Sequence, residues 1–231
     1  MLIIASKDIS PAAKEELKRN GELCLFEGIS PVYQSIRNHP DIYLTPINNH
    51  IVVAAPNTPD YVIHTLKSHH IDIIPGQFDA GRKYPESARY NSVITDKICV
   101  HKCEVTDPAL KKFTQNLQFI NVKQAYTRCN LLPLPNGTYI TSDNGIYKTM
   151  SRLNFKIFLT NPTTIILKGQ KHGFFGGCCG IIKDILFING ALGFLPDSAC
   201  LTNLILNANL RIQELTTSMP EDIGSIFGFY R

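Results

Sequence analysis

The chain has little charge and no strong excess of either sign. Only 18% of its residues are Asp, Glu, Lys or Arg, and 23 basic against 19 acidic groups leave a formal +4. That balance is too weak and too dispersed to argue for a nucleic-acid partner, and pairs such as Lys111-Lys112 and Arg82-Lys83 read as solvated faces. No apolar run approaches the ~20 residues a membrane-spanning helix requires, so no membrane partner is expected. The opening Met1–Lys7 lacks the apolar length of a signal peptide and reads as a first core strand. A disulfide framework is missing too. The seven cysteines are an odd number, and Cys24, Cys99 and Cys129 lie inside apolar stretches, which suits free thiols in a reducing cytoplasm. No glycine-rich phosphate loop follows a strand: Gly173–Gly177 precedes one, so the context of a nucleotide-binding motif is wrong and no cofactor is expected. No linker or low-complexity stretch divides the 231 residues.

What is present is a hairpin–helix–strand order that returns four times, with a broken copy shared by the chain ends. Self-similarity of this kind decides architecture before chemistry. In residues 39–77 a hairpin around Pro46–Asn49 precedes a helix near 58–69, with Pro59 expected at its first position, and a strand Ile71–Ile74. In 90–124 a turn at Thr95–Lys97 leads to a helix begun by Asp107-Pro108 and the strand Phe119–Val122. In 129–169 the turn is Asn136-Gly137, expected as type I′, and Ser142-Asp143 is expected to cap the next helix. In 178–219 the turn is Lys183-Asp184, followed by a helix around Ala199–Ala208 and the strand Arg211–Leu215. Residues 1–27 supply a strand, a helix capped by Ser10 and Pro11, and a second strand. Their missing partner is expected from residues 221–231. A single domain with five sectors about one axis follows, closed by strands from opposite chain ends so that no sheet edge is left open. Tight hairpins inside the units argue against an open parallel α/β sheet, whose strands are joined by crossovers.

This α/β arrangement, with the patches His39-Pro40-Asp41-Ile42, Tyr90-Asn91-Ser92-Val93, Arg128-Cys129-Asn130, Ile140–Asp143 and Gly173–Gly177, resembles the pentein fold. That fold is a five-fold pseudo-symmetric α/β propeller shared by guanidino-group-modifying enzymes and a non-catalytic ribosome-associated factor. The resemblance implies that the start of each unit's first strand lines a central channel. The channel-facing candidates are then His39, Asp41, Glu86, Asn91, Tyr126, Arg128, Cys129, Cys178, Cys179, Glu221 and Asp222. The family's hydrolases use a cysteine thiolate, a histidine acid/base and carboxylates that hold the guanidinium. Asp41 matches one such carboxylate. Tyr126-Thr127-Arg128 stands where the histidine should begin the fourth unit, and Ile223–Arg231 holds no cysteine.

The expectation is therefore a channel that binds a small polar or cationic metabolite without the standard hydrolase set. Asp41 and Asn91 would contact the ligand, Arg128 would grip a carboxylate, and Tyr126 would line the site. The alternative is a cysteine-dependent hydrolase or transferase in which Cys178 or Cys179 is the nucleophile and His39 or His172 its partner. Adjacent strand residues point to opposite faces, so only one of the two thiols would reach the channel. A third reading is a protein-binding scaffold. Cys99, His101 and Cys103 share a strand face, but no second ligand cluster accompanies them, and no metal site is expected.

Overall fold

The computed structural model describes residues 1–29 and 32–230. Arg231, the last residue of the expected closing segment, lies outside the described residues. Fifteen strands form five sheets of three strands each among the described residues. In the first sheet β1 (Leu2–Ser6) lies parallel to β2 (Glu22–Phe26) across helix α1 (Pro11–Lys18), and its other edge pairs antiparallel with a C-terminal strand, Phe227–Phe229. The missing strand thus comes from the opposite chain end.

The other four sheets each carry a hairpin, a helix and a returning parallel strand. The second has β3 (Leu44–Pro46), β4 (Ile51–Ala54), α2 (Asp60–Ser68) and β5 (Asp72–Pro75); the third has β6 (Val93–Ile94), β7 (Ile98–His101), α3 (Pro108–Phe113) and β8 (Gln118–Asn121). The fourth opens with a single helical turn, α4 (Thr127–Asn130), before β9 (Leu131–Pro133), β10 (Thr138–Thr141), α5 (Asn144–Arg152) and β11 (Lys156–Leu159). The fifth likewise begins with α6 (Phe175–Cys178), then β12 (Cys179–Ile182), β13 (Ile185–Ile188), α7 (Ser198–Leu206) and β14 (Arg211–Glu214); the C-terminal strand is β15.

Local chemistry explains most boundaries. Ser10, Asp107 and Asp143 each accept a backbone N–H from the first turn of the helix they precede. Pro59 is a cap rather than the first helical residue: its extended backbone leaves Asp60 to start α2. The Asn136-Gly137 turn is not type I′. Only Gly137 has positive φ (+79°), and its N–H donates to the Leu134 carbonyl. Pro135 fixes the negative φ that begins a type I turn, and Gly137 supplies the following left-handed residue of a three-residue loop. Ser142 does not cap α5. Its hydroxyl donates to Asn130 Oδ1 at 3.0 Å and accepts the Phe175 N–H at 3.3 Å, so it joins α4 to α6. No helix among the described residues is long and apolar enough to cross a membrane.

Apolar clusters bridge neighbouring sheets. Leu2, Phe26, Val52 and Leu66 join the first and second sheets, and Leu132, Ile140, Leu186 and Leu201 join the fourth and fifth. Each such side chain contributes about 1.5–3 kcal/mol of burial. Polar clamps add register. Asp107 accepts from the N–H groups of Gln77 and Phe78 and from the Tyr90 hydroxyl, tying the end of the second sheet to the start of α3.

His101 is a second clamp. Its Nε2 lies 3.0 Å from the Ala88 carbonyl and 2.9 Å from that of Ala125, and its Nδ1 lies 2.8 Å from Thr106 Oγ1. Both ring nitrogens are thus engaged with protein groups, and the segments held are those leading to Asn91 and α4. Burial pushes the imidazole down to about 4, with the two carbonyls opposing. An unfolded histidine titrates near 6.5, so between about 6.5 and 4 the unfolded chain binds the extra proton. Stability therefore falls as the pH falls through that window, by roughly 1.4 kcal/mol per unit and roughly 3 kcal/mol in all. We expect the stability gap between the wild type and His101→Gln, measured by urea unfolding, to narrow by that amount from pH 7.5 to pH 4. A gap independent of pH would refute the assignment.

Candidate active or binding site

Short turns before the first strands bring the polar candidates together. His39 precedes the turn Pro40–Ile42, Asn91 precedes β6, Arg128 and Cys129 lie in α4, and Asp222 to Ser225 lead into β15. His39, Asp41, Asn91, Cys129, Asp222 and Ser225 are all buried. Asp41 Oδ2 accepts from Ser225 Oγ at 2.8 Å and from the Cys129 thiol at 3.1 Å. Asn91 holds Cys129 from two sides: its Oδ1 accepts the Cys129 N–H at 3.2 Å, and its Nδ2 donates to Sγ at 3.2 Å and to the Asp41 carbonyl at 3.1 Å. Asp222 accepts the N–H groups of Gly224 and Phe174, each at 3.0 Å. His39 Nδ1 faces Asp222 Oδ1 at 3.8 Å, too far for a hydrogen bond. His39 Nδ1 and Asp41 Oδ1 are buried with no hydrogen-bond partner among the described residues.

Burial and the neighbouring Asp41 raise the Asp222 carboxyl to about 6, although His39 and the two N–H donors oppose this. Burial, with Asp41 and Asp222 alongside, raises the Cys129 thiol well above its ordinary range. The field of Asp41 favours the charged form of Arg128 against its burial, but the guanidinium fork is engaged elsewhere. Nη1 donates to the Gly176 carbonyl at 3.0 Å and Nη2 to that of Cys179 at 3.3 Å. Tyr126 borders the cluster, its hydroxyl 2.8 Å from that of Tyr33 and 2.6 Å from Ser87 Oγ.

Two hollows approach this cluster. One, of about 470 Å³, reaches His39 and Asp222 and carries Asp8, Glu221 and Lys168 on its walls. The other, of about 220 Å³, has Arg128 on its lining together with residues of the first strands of the second to fifth sheets, Pro46, Val93, Pro133 and Ile181 among them, and Phe227 of β15 in the first.

Other expected residues fall differently. Cys178 and Cys179 are not two strand neighbours on opposite faces. Gly176-Gly177 coil into α6, Cys178 ends that turn, and both thiols join the apolar cluster with Phe175 and Leu186. Cys178 donates to the Phe174 carbonyl at 3.4 Å. Burial drives the Cys178 thiol well up and the Cys179 thiol to about 12, the opposite of an activated nucleophile. Glu86 is exposed, in the turn Glu86–Ala88, and His172 turns its Nδ1 to the Gly173 carbonyl. Ser225 and Tyr33 carry no local sequence signal of a site. Ser225 meets Asp41 across 184 residues, through a backbone of positive φ (+71°).

Comparison with known proteins agrees with this geometry at the level of fold. Among solved structures the chain is similar to SxtG, an amidinotransferase of the saxitoxin biosynthetic pathway from Microseira wollei (TM-score 0.53, 11% identity, covering 100% of this chain and 94% of that one). It is also similar to a mutant of DDAH from Pseudomonas aeruginosa complexed with citrulline (TM-score 0.56, 8% identity, 94% and 92% covered). A third is the inosamine-phosphate amidinotransferase StrB1 from Streptomyces griseus (TM-score 0.57, 9% identity, 95% and 78% covered). These are pentein-fold enzymes, and the fold of this chain is theirs. At such identities the likeness concerns fold and not reaction. No protein of curated function matches the sequence. A family profile matches residues 4–227, and by that match the chain belongs to DUF6873, a family of unknown function.

Proposed function

We propose that the protein binds a small cationic metabolite, guanidino- or amino-acid-like, at the floor of the cleft that reaches His39 and Asp222. The observation that carries this reading is a pair of buried carboxyl groups, Asp41 and Asp222, with one buried oxygen, Asp41 Oδ1, that no protein donor fills. A buried charge is tolerated only when paired and hydrogen-bonded, and Arg128 spends both terminal nitrogens on carbonyls. The cleft walls add Asp8 and Glu221 against Lys168. Its volume is in the range of small-molecule sites. In this reading the five sheets close as a propeller in one domain, with the hollow lined by a strand from each on its axis.

Thermal unfolding in arginine, agmatine, methylated arginines and lysine provides the test. A ligand at about 100 times its Kd stabilises by about 2.7 kcal/mol, which for a chain this long raises Tm by roughly 5–10 °C. Asp222→Asn should weaken binding by at least ~10-fold, because a charge-assisted pair is lost. No saturable shift with any of these cations at millimolar concentration would reject the proposal.

A second reading, thiol chemistry on such a ligand, is favoured by one juxtaposition. Cys129, rather than Cys178 or Cys179, lies beside His39 and Asp222; because burial and the carboxylates raise its thiol too, His39 would have to take the thiol proton as the sulfur attacks. Release of citrulline, carbamoylputrescine or ammonia that Cys129→Ser abolishes would establish it.

A further inference from the structure

A ring nitrogen of His39, Cys129 Sγ and an Asp222 carboxylate oxygen lie within 4.8 Å of one another, and all three residues are buried. They come from the turn before β3, from α4 and from the segment leading into β15, so no sequence spacing reveals them. One imidazole nitrogen, one thiol and one carboxylate make a borderline-soft donor set of the kind zinc prefers. The separation of His39 from Asp222 is informative here. At 3.8 Å the two atoms are too far apart to share a proton, whereas two ligands of one tetrahedral zinc stand about 3.4 Å apart, from the metal–ligand lengths. A movement of less than about an ångström seats both. The unpartnered buried Nδ1 is independent support: a ring nitrogen that no protein group engages is a position a metal would fill.

The surroundings also fit. Asn91 Nδ2 already donates to Cys129 Sγ, a bond that the thiolate would keep, so the sulfur is held by an outer group as metal ligands usually are. Phe174 and Gly224 hold Asp222 by their N–H groups. His39 and Asp222 line the cleft, which gives an ion held by the three residues an approach from solvent; zinc sites with three protein ligands take an exchangeable fourth.

We propose that His39, Cys129 and Asp222 form a binding site for a divalent zinc ion at the floor of the acidic cleft. Zinc binding displaces the thiol proton of Cys129 to solvent and leaves the sulfur as thiolate. The site shares Asp222 with the organic-cation reading above, and the two cations exclude one another. They differ in their other requirements: the organic cation needs the carboxylates, while zinc also needs sulfur and imidazole.

Titration of the metal-stripped full-length protein with Co²⁺ and Zn²⁺ tests this. One equivalent of Co²⁺ should give a thiolate-to-cobalt charge-transfer band that one equivalent of Zn²⁺ bleaches. Cys129→Ser should abolish the band, and His39→Ala should lower the affinity at least ~10-fold. Cys103→Ser, a change at a thiol outside the cluster, should leave both unchanged. Circular dichroism of each variant separates loss of ligand from loss of fold, and the wild-type band stands without any variant. Absence of a band, stoichiometry well below one, or a band that survives Cys129→Ser in a folded protein would overturn the proposal. Retention of agmatine or arginine binding by Cys129→Ser, with cobalt binding lost, would separate the two readings.

Discussion

Replacing Arg128 by methionine is expected to cost about 3 kcal/mol of stability, a fall in Tm of roughly 10 °C for a chain of this length. Arg128 does three things at once. Its Nη1 and Nη2 satisfy the carbonyls of Gly176 and Cys179, where α6 passes into β12. Its guanidinium lies over the Phe227 ring at 5.8 Å. Its charged form is also favoured by the field of Asp41. Without Arg128 the two carbonyls are left unsatisfied, at about 1–3 kcal/mol each, and Asp41 loses the field of a nearby cation with which it forms no ion pair. The low end applies because Arg128 is only partly buried. Methionine keeps much of the apolar stem, so the loss reports the charge and the two hydrogen bonds. Adding Asp41→Asn should then recover at least ~1 kcal/mol, since the carboxylate deprived of that field is gone. Urea unfolding of both variants measures this. A loss below about 1 kcal/mol for Arg128→Met, or no recovery in the double variant, would show that Arg128 does not balance this cluster.

That role could not be read from the sequence, where Arg128 stands as a free fork waiting for a carboxylate. The fold was more legible because it rests on local rules. Proline and Ser, Asp or Asn residues mark the helix starts, and alternation of short apolar runs with turns marks the strands; the three-stranded sheets follow from these. The errors arose where a local rule had two solutions. Pro135 turned the Asn136-Gly137 loop into a type I turn with a left-handed glycine. Gly176-Gly177, read as the approach to a strand, coils instead, and this withdraws Cys178 and Cys179 into apolar packing.

Site legibility followed the same division. His39, Asp41, Asn91 and Asp222 sit where a unit begins, so position alone singles them out, but it says nothing about what they touch. Glu86 occupies a similar position and faces outward. Cys129 belongs to an apolar stretch, and its partner Asp41 is 88 residues away. Long-range pairs of this sort are fixed by how the sheets pack on one another. Gly177 shows the point: a Cβ there would collide with the Asp222 carboxyl, so the glycine reserves space for a residue remote in sequence.

Gly224→Ala should damage both stability and the site, by about 3 kcal/mol and by loss of cation binding. Gly224 has φ +71°, which an L side chain adopts at a cost of roughly 1–2 kcal/mol. A Cβ at this position would also overlap the Cβ, Cγ and Cα of His39. Because one of those atoms is backbone and the residue is buried, neither partner can swing away, and overpacking adds roughly 1–3 kcal/mol. Gly137→Ala is the control. It has φ +79° in the β9–β10 turn, but a Cβ there meets nothing within 4 Å, so it should lose only the conformational part. The difference between the two variants, about 1–3 kcal/mol in urea unfolding, isolates the contact with His39. Moving His39 away from Asp222 should abolish the cobalt band and weaken organic cations in Gly224→Ala alone. Equal destabilisation by the two alanines, or an unchanged site in Gly224→Ala, would mean that the backbone beside Asp222 yields, and that His39 is not held where the cluster requires it.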